Sequence, residues 1–144
     1  MNPITITAWS DPPINGPGHH SLSVYVELFW LPTLGPAATW LLRRSAVFLL
    51  GSTEDFTLDF DWLATSLGLG RGDSRHAPLP RAIDRLVRFN LAQRLGDEHQ
   101  HLAVRTTLPP LPEHYAGRLD PLTQELHRTW HHRTPQSLAA LESV

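Results

Sequence analysis

Residues 78–106, PLPRAIDRLVRFNLAQRLGDEHQHLAVRT, limit the possible folds more than any other stretch. Leu79, Ile83, Leu86 and Val87 recur at i, i+4, i+7 and i+8, one apolar stripe of a 3.6-residue period. Arg81, Arg85 and Arg88 fall at i, i+4 and i+7 on the opposite face, so the helix has a core side and a cationic side. Pro78 and Pro80 suit a first turn, where a missing N–H is cheap, and neither is tolerated deeper. The spacing predicts a helix from near Leu79 to near Asn90. Leu91–Leu95 and His101–Thr106 then alternate in character around the polar, glycine-containing GDEHQ, which predicts a hairpin.

Before this stretch, residues 1–20 hold four of the thirteen prolines and an NGPG turn signal, and predict an extended arm lying along the domain rather than packing within it. LSVYVELFWL at 22–31 is rich in β-branched and aromatic residues, which predicts a strand or an apolar extended segment. From Pro36, the recurrence of Ala38, Leu41, Leu42, Ser45, Phe48 and Leu49 predicts a long amphipathic helix closed by Gly51. Phe56–Leu58 is a candidate short strand. Asp59 or Asp61 can cap a helix bearing Trp62, Leu63, Ser66 and Leu67, with Gly68 placed for the left-handed residue that ends it. GRGDSRH at 70–76 is a polar connector, and its Arg-Gly-Asp triplet carries no weight in a chain without an export signal. Beyond the hairpin, Leu108-Pro-Pro-Leu-Pro ends any strand. Asp120 and Pro121 then open a last helix, whose stripe Leu119, Leu122, Leu126 and Trp130 must cover something. The tail from Thr134 is expected to be loosely held.

The order long helix, short strand, short helix, loop, Arg-faced helix, hairpin over residues 36–107 resembles the winged helix-turn-helix DNA-binding superfamily. The phrases DWLATSLGLG and LPRAIDRLVRFNLAQRLG look like its second and third helices. The expected fold class is therefore mainly α with a small β-hairpin (α+β), a winged helix-turn-helix with an extended N-terminal arm and a C-terminal helix. Three divisions follow: 1–35, arm and apolar extended segment; 36–107, winged domain; 108–144, Pro-rich connector, helix and tail. The resemblance implies that the third helix enters the major groove, where Arg bonds bidentately to guanine. Arg81, Arg85 and Arg88 are then assigned to the groove, and Arg75, Arg94 and Arg105 to phosphates. Double-stranded DNA is the expected partner, and transcriptional regulation the expected role. A homodimer would form through the 22–34 segment or the 119–132 helix. Two readings compete with this. The Arg face can be a solvated surface on which Asp84 pairs with Arg81 or Arg88, or the domain can bind a protein and no DNA.

Charge supports the first reading locally rather than globally. The net charge is −2, yet residues 71–105 carry seven Arg against four acids, while residues 1–70 carry two Arg against six acids. Asp97 and Glu98 at the wing tip argue against phosphate contact there. The 144 residues contain no cysteine, which excludes disulfides and thiolate metal sites. With no membrane span and no export leader in evidence, a cytoplasmic protein is expected. His127 and His131 have the i, i+4 spacing zinc uses, with His132 beside them. The chain has no HExxH and no evident third ligand, so a capping role stands ahead of a metal, and neither metal nor cofactor is expected. His99 and His101 alternate onto one face of the hairpin, where polar contact is the simpler role. No GxSxG, Walker loop or GxGxxG occurs and the acids are scattered, so no enzyme is expected. Trp9, Trp30, Trp40 and Trp62 read as core and arm-packing residues, since a base-stacking platform requires interleaved basic residues.

Overall fold

The structure, a computed structural model, describes residues 1–9, 18–51, 55–96 and 100–130. In chain order it forms strand β1 (Pro3–Trp9), the short β2 (His19–His20), a π-turn (Val26–Trp30) running on into α1 (Leu31–Leu34), and the long helix α2 (Pro36–Leu49). There follow β3 (Phe56–Asp59), α3 (Phe60–Ser66), α4 (Pro78–Arg88), the hairpin strands β4 (Ala92–Leu95) and β5 (Gln100–Arg105), β6 (Thr107–Leu108), α5 (Glu113–Ala116) and α6 (Pro121–Arg128).

The expected fold class, mainly α with a small hairpin and an arm laid outside, does not hold. The arm is an interior strand. β1 sits between β3 and β5 in a mixed four-stranded sheet of order β3-β1-β5-β4, antiparallel to β3 and parallel to β5, and β2 pairs with β6 in a second, two-stranded sheet. The chain is α+β, with its sheet built around the segment expected to lie apart. ITITAW explains why: Ile4 and Ile6 are fully buried, while Thr5 faces away and its hydroxyl lies 2.9 Å from that of Thr57 on β3. That is the period-2 alternation of a strand, and burying two isoleucines stabilises the sheet by roughly 1.5–3 kcal/mol each.

The second correction is the 22–31 segment, which is helical rather than extended. Tyr25, Val26, Phe29, Trp30 and Leu34 all enter the core, a spacing only a helix can present to one side, so burial overrides the local β preference. The widened turn has a local reason. The N–H of Leu31 reaches back five residues to the carbonyl of Val26, and Pro32, next in the chain, has no N–H and a ring that clashes with a regular preceding turn. Burial of Tyr25 pushes its pKa above the usual tyrosine value, partly offset by the Leu111 amide that donates to its hydroxyl.

Locally encoded features fall where the sequence puts them. Asp59 caps α3 by accepting from the Trp62 amide, and Gly68 takes the left-handed conformation (φ +75°) that closes the helix. Asp120 caps α6, with Pro121 first in the helix. One core cluster joins Ile4 and Ile6 to α2, α3, α4, the hairpin, Leu119 and Trp130, so the three expected divisions share a single interior. Tail residues beyond 130 lie outside the described residues.

Candidate nucleic-acid interface

The site is built on α4 and on what holds it. Leu79, Ala82, Ile83 and Leu86 are buried, while Arg81, Arg85 and Arg88 are exposed on the other side. The chain leaves the helix through Asn90, the one non-glycine residue with positive φ (61°) among the described residues. Its amide donates to the Val87 carbonyl and that of Leu91 to the Leu86 carbonyl, so the last orphan carbonyls are satisfied and the chain turns directly into β4. Asn tolerates the left-handed region better than other side chains. The Asn90 carbonyl accepts the Nε–H of Arg105 at 2.8 Å, which ties the helix end to β5.

Arg105 is therefore part of the fold. It is only 6% exposed, and its guanidinium carbon lies 3.8 Å from the ring centroid of Trp9, its register neighbour on β1. The phosphate role expected for it is overturned by this burial. Arg94, on the exposed edge strand β4, is ion-paired with Asp84 of α4. That pair matters for the helix face: Asp84 is engaged by the hairpin rather than by Arg81 or Arg88. None of Arg81, Arg85 and Arg88 forms an ion pair among the described residues. Arg75 is exposed in the connector, likewise without an ion pair among the described residues, while neighbouring Arg71 reaches Asp61 at 3.7 Å. Asp97, Glu98 and His99 lie outside the described residues.

The three helix arginines line one wall of a cleft of about 580 Å³ whose other wall is the α1–α2 junction at Leu34–Ala38. Gly35 makes that junction, with φ +84° and ψ 163°, a conformation reserved in practice for glycine. No acidic residue stands in the first turn of α2, so the helix dipole adds to the positive potential of the Arg wall. Arg85 donates to the Thr33 carbonyl at 3.3 Å at the edge of the cleft. On its far side a second cavity of about 270 Å³ opens, where Phe89 and Tyr115 meet with ring centroids 5.1 Å apart, joined by Arg118. Phe89, Tyr115 and Arg118 were not among the residues expected from the sequence. Their signal is the interleaving of Arg85 with Phe89 and of Tyr115 with Arg118, but the two pairs lie far apart in the chain.

Of the tryptophans, Trp30 is buried and Trp9 stacks on Arg105, whereas Trp40 and Trp62 are about half exposed. His127 lies inward against Tyr25, its Nε2 2.9 Å from the hydroxyl; His131 and His132 lie outside the described residues. No group of three metal-ligating side chains occurs among the described residues. Of the apolar residues of 22–34, Tyr25, Val26, Phe29, Trp30 and Leu34 are buried in the core, whereas Leu22, Val24, Leu28 and Leu31 are half-buried. None of the described helices is long and apolar enough to cross a membrane. No family model matches the chain, and neither a curated protein nor a solved structure is detectably similar to it.

Proposed function

We propose that the protein binds DNA through the outer face of α4 and acts as a sequence-specific regulator of transcription in the cytoplasm. Arg81, Arg85 and Arg88 would read the major groove, and Arg75 would contact a phosphate. The observation that carries this reading is that three arginines on one helix face are exposed and without an acidic partner among the described residues, because Asp84 is held by Arg94. A cationic face left unneutralised is what a phosphate backbone needs, and Arg is the side chain best matched to guanine edges. The test is fluorescence anisotropy of labelled duplexes, random and genomic-upstream, at low and then moderate salt. Binding that weakens with salt and disappears in the Arg81/Arg85/Arg88 triple alanine variant is expected. No binding at low salt would sink the reading.

A second reading has its own observation. Trp40, Val47, Leu50 and Trp62 are each about half exposed along α2 and α3, more large apolar surface than scattered residues need. A protein partner docking there would leave the α4 arginines idle. It predicts that Trp40→Ala abolishes partner binding while no DNA is bound at any salt.

A further inference from the structure

The cleft and the aromatic cavity meet at a single residue. Arg85 lines both, and its guanidinium carbon lies 5.8 Å from the centroid of the Phe89 ring. One side of Arg85 is thus the cleft it lines with Arg81, Arg88 and Asp84, the last ion-paired with Arg94. The other is a recess walled by two half-buried rings, with Arg118 at its rim and its guanidinium in no ion pair among the described residues. Outside the recess lining, the exposed His114 packs on Tyr115, its ring centroid 3.9 Å from that of the tyrosine. The recess has one acid, Asp120, and its carboxylate is occupied in capping α6. It accepts from the Leu122 and Thr123 amides and the Thr123 hydroxyl, bonds that hold its pKa below the usual carboxylate value.

Basic groups alternating with aromatic faces are the means by which proteins hold unpaired nucleotides: phosphates track the cations and each base lays its face on a ring. An intact duplex has no base to offer such a recess, because its bases are stacked and paired. The cavity, at about 270 Å³, is smaller than most drug-sized sites, which suits one planar group rather than a large ligand.

We propose that the Phe89–Tyr115 recess receives one unpaired nucleobase, with the adjoining phosphate at Arg118, where a single strand leaves the duplex held by Arg81, Arg85 and Arg88, so that the protein prefers DNA carrying a single-stranded segment to a blunt duplex. This rests on the nucleic-acid reading of α4 and adds a preference that the reading alone does not contain.

The experiment compares three labelled probes by anisotropy at fixed salt: a blunt duplex, the same duplex with a thymidine overhang, and the same duplex with an abasic overhang of equal length. The abasic probe carries the additional phosphates without the bases. The expected result is that the thymidine overhang binds about tenfold more tightly than the abasic one, the scale of one base stacked on a ring. Tyr115→Ala should erase that difference and leave blunt-duplex affinity unchanged. Phe89→Leu, which keeps apolar bulk where Phe89 packs on the core, should reduce it as well. Equal binding of thymidine and abasic overhangs, with binding still lost in the triple arginine variant, overturns the recess and leaves the duplex reading standing. A thymidine preference that survives both ring variants also overturns the recess, since the base must then sit elsewhere. No binding of any probe overturns both.

Discussion

Five arginines between residues 81 and 105 are indistinguishable by charge, yet they fall into two groups. Arg81, Arg85 and Arg88 stand on a helix face beside a cleft, with no carboxylate pairing among the described residues. Arg94 and Arg105, on the hairpin, are turned back on the protein, one to Asp84 and the other to the Asn90 carbonyl and the Trp9 ring. The hairpin arginines keep the helix arginines clear of carboxylates: Arg94 neutralises the one acid on α4, and Arg105 fixes the end of the helix. The cationic footprint of a segment is therefore set by where each guanidinium finds its partner, and counting basic residues overstates it.

The sharpest way to break this contrast is the Arg81/Arg85/Arg88 triple alanine variant. It is expected to lose more than about a hundredfold in DNA affinity, at roughly 1–3 kcal/mol for each specific contact, while its urea midpoint stays close to wild type. A large fall in stability would place these residues in the structural group instead. Arg105→Ala is expected to do the reverse. Removing a buried guanidinium that satisfies a carbonyl and covers a tryptophan should destabilise the fold by about 2–4 kcal/mol, seen as an early unfolding midpoint. Arg94→Ala comes third. Both members of its pair are half exposed, so the stability change should stay below about 1 kcal/mol. Its more informative effect is on binding, because releasing Asp84 toward the arginine face should weaken DNA affinity. Unchanged or stronger binding would show that the pair does not shield the face. The smallest effect is expected from Arg75→Ala, within about 0.5 kcal/mol in stability. If Arg75 contacts a phosphate, the slope of log affinity against log salt should fall by about one unit.

What could be read from the sequence divides along the same line as what is local. The caps at Asp59 and Asp120, the left-handed Gly68, the two faces of α4 and the hairpin after it each depend on residues within a few positions of one another, and each is found in the structure. β1 is not legible locally, because the prolines of residues 1–20 signal an irregular segment around the alternation of Ile4 and Ile6, and because both partners of β1 lie more than forty residues away. The helical stretch Val26–Leu34 is likewise hidden, because its β-branched and aromatic residues are favoured in strands, and only the core they enter decides otherwise. The burial of Arg105 is hidden for a related reason. Four consecutive residues of β5, Leu102 to Arg105, are buried, as happens in an interior strand covered on both faces, and nothing within the hairpin reveals that β1 lies beside it. The aromatic recess joins the end of α4 to α5, a juxtaposition set by the fold as a whole.

The insertion of β1 also orders events in time. Its parallel partner, Gln100–Arg105, leaves the ribosome almost a hundred residues after Pro3–Trp9 does. Until then the first strand has no final neighbour on that side, and the sheet cannot close. Pairings of such long sequence separation are slow to form, and an apolar strand kept waiting is a template for pairing with other chains. The α2–α4 helical layer can assemble earlier from nearer contacts, so the growing chain would carry its arginine face before it has the sheet that steadies it. A protein of this design acquires its arginine face early and its rigidity late, and its yield in a cell depends on how well that interval is guarded.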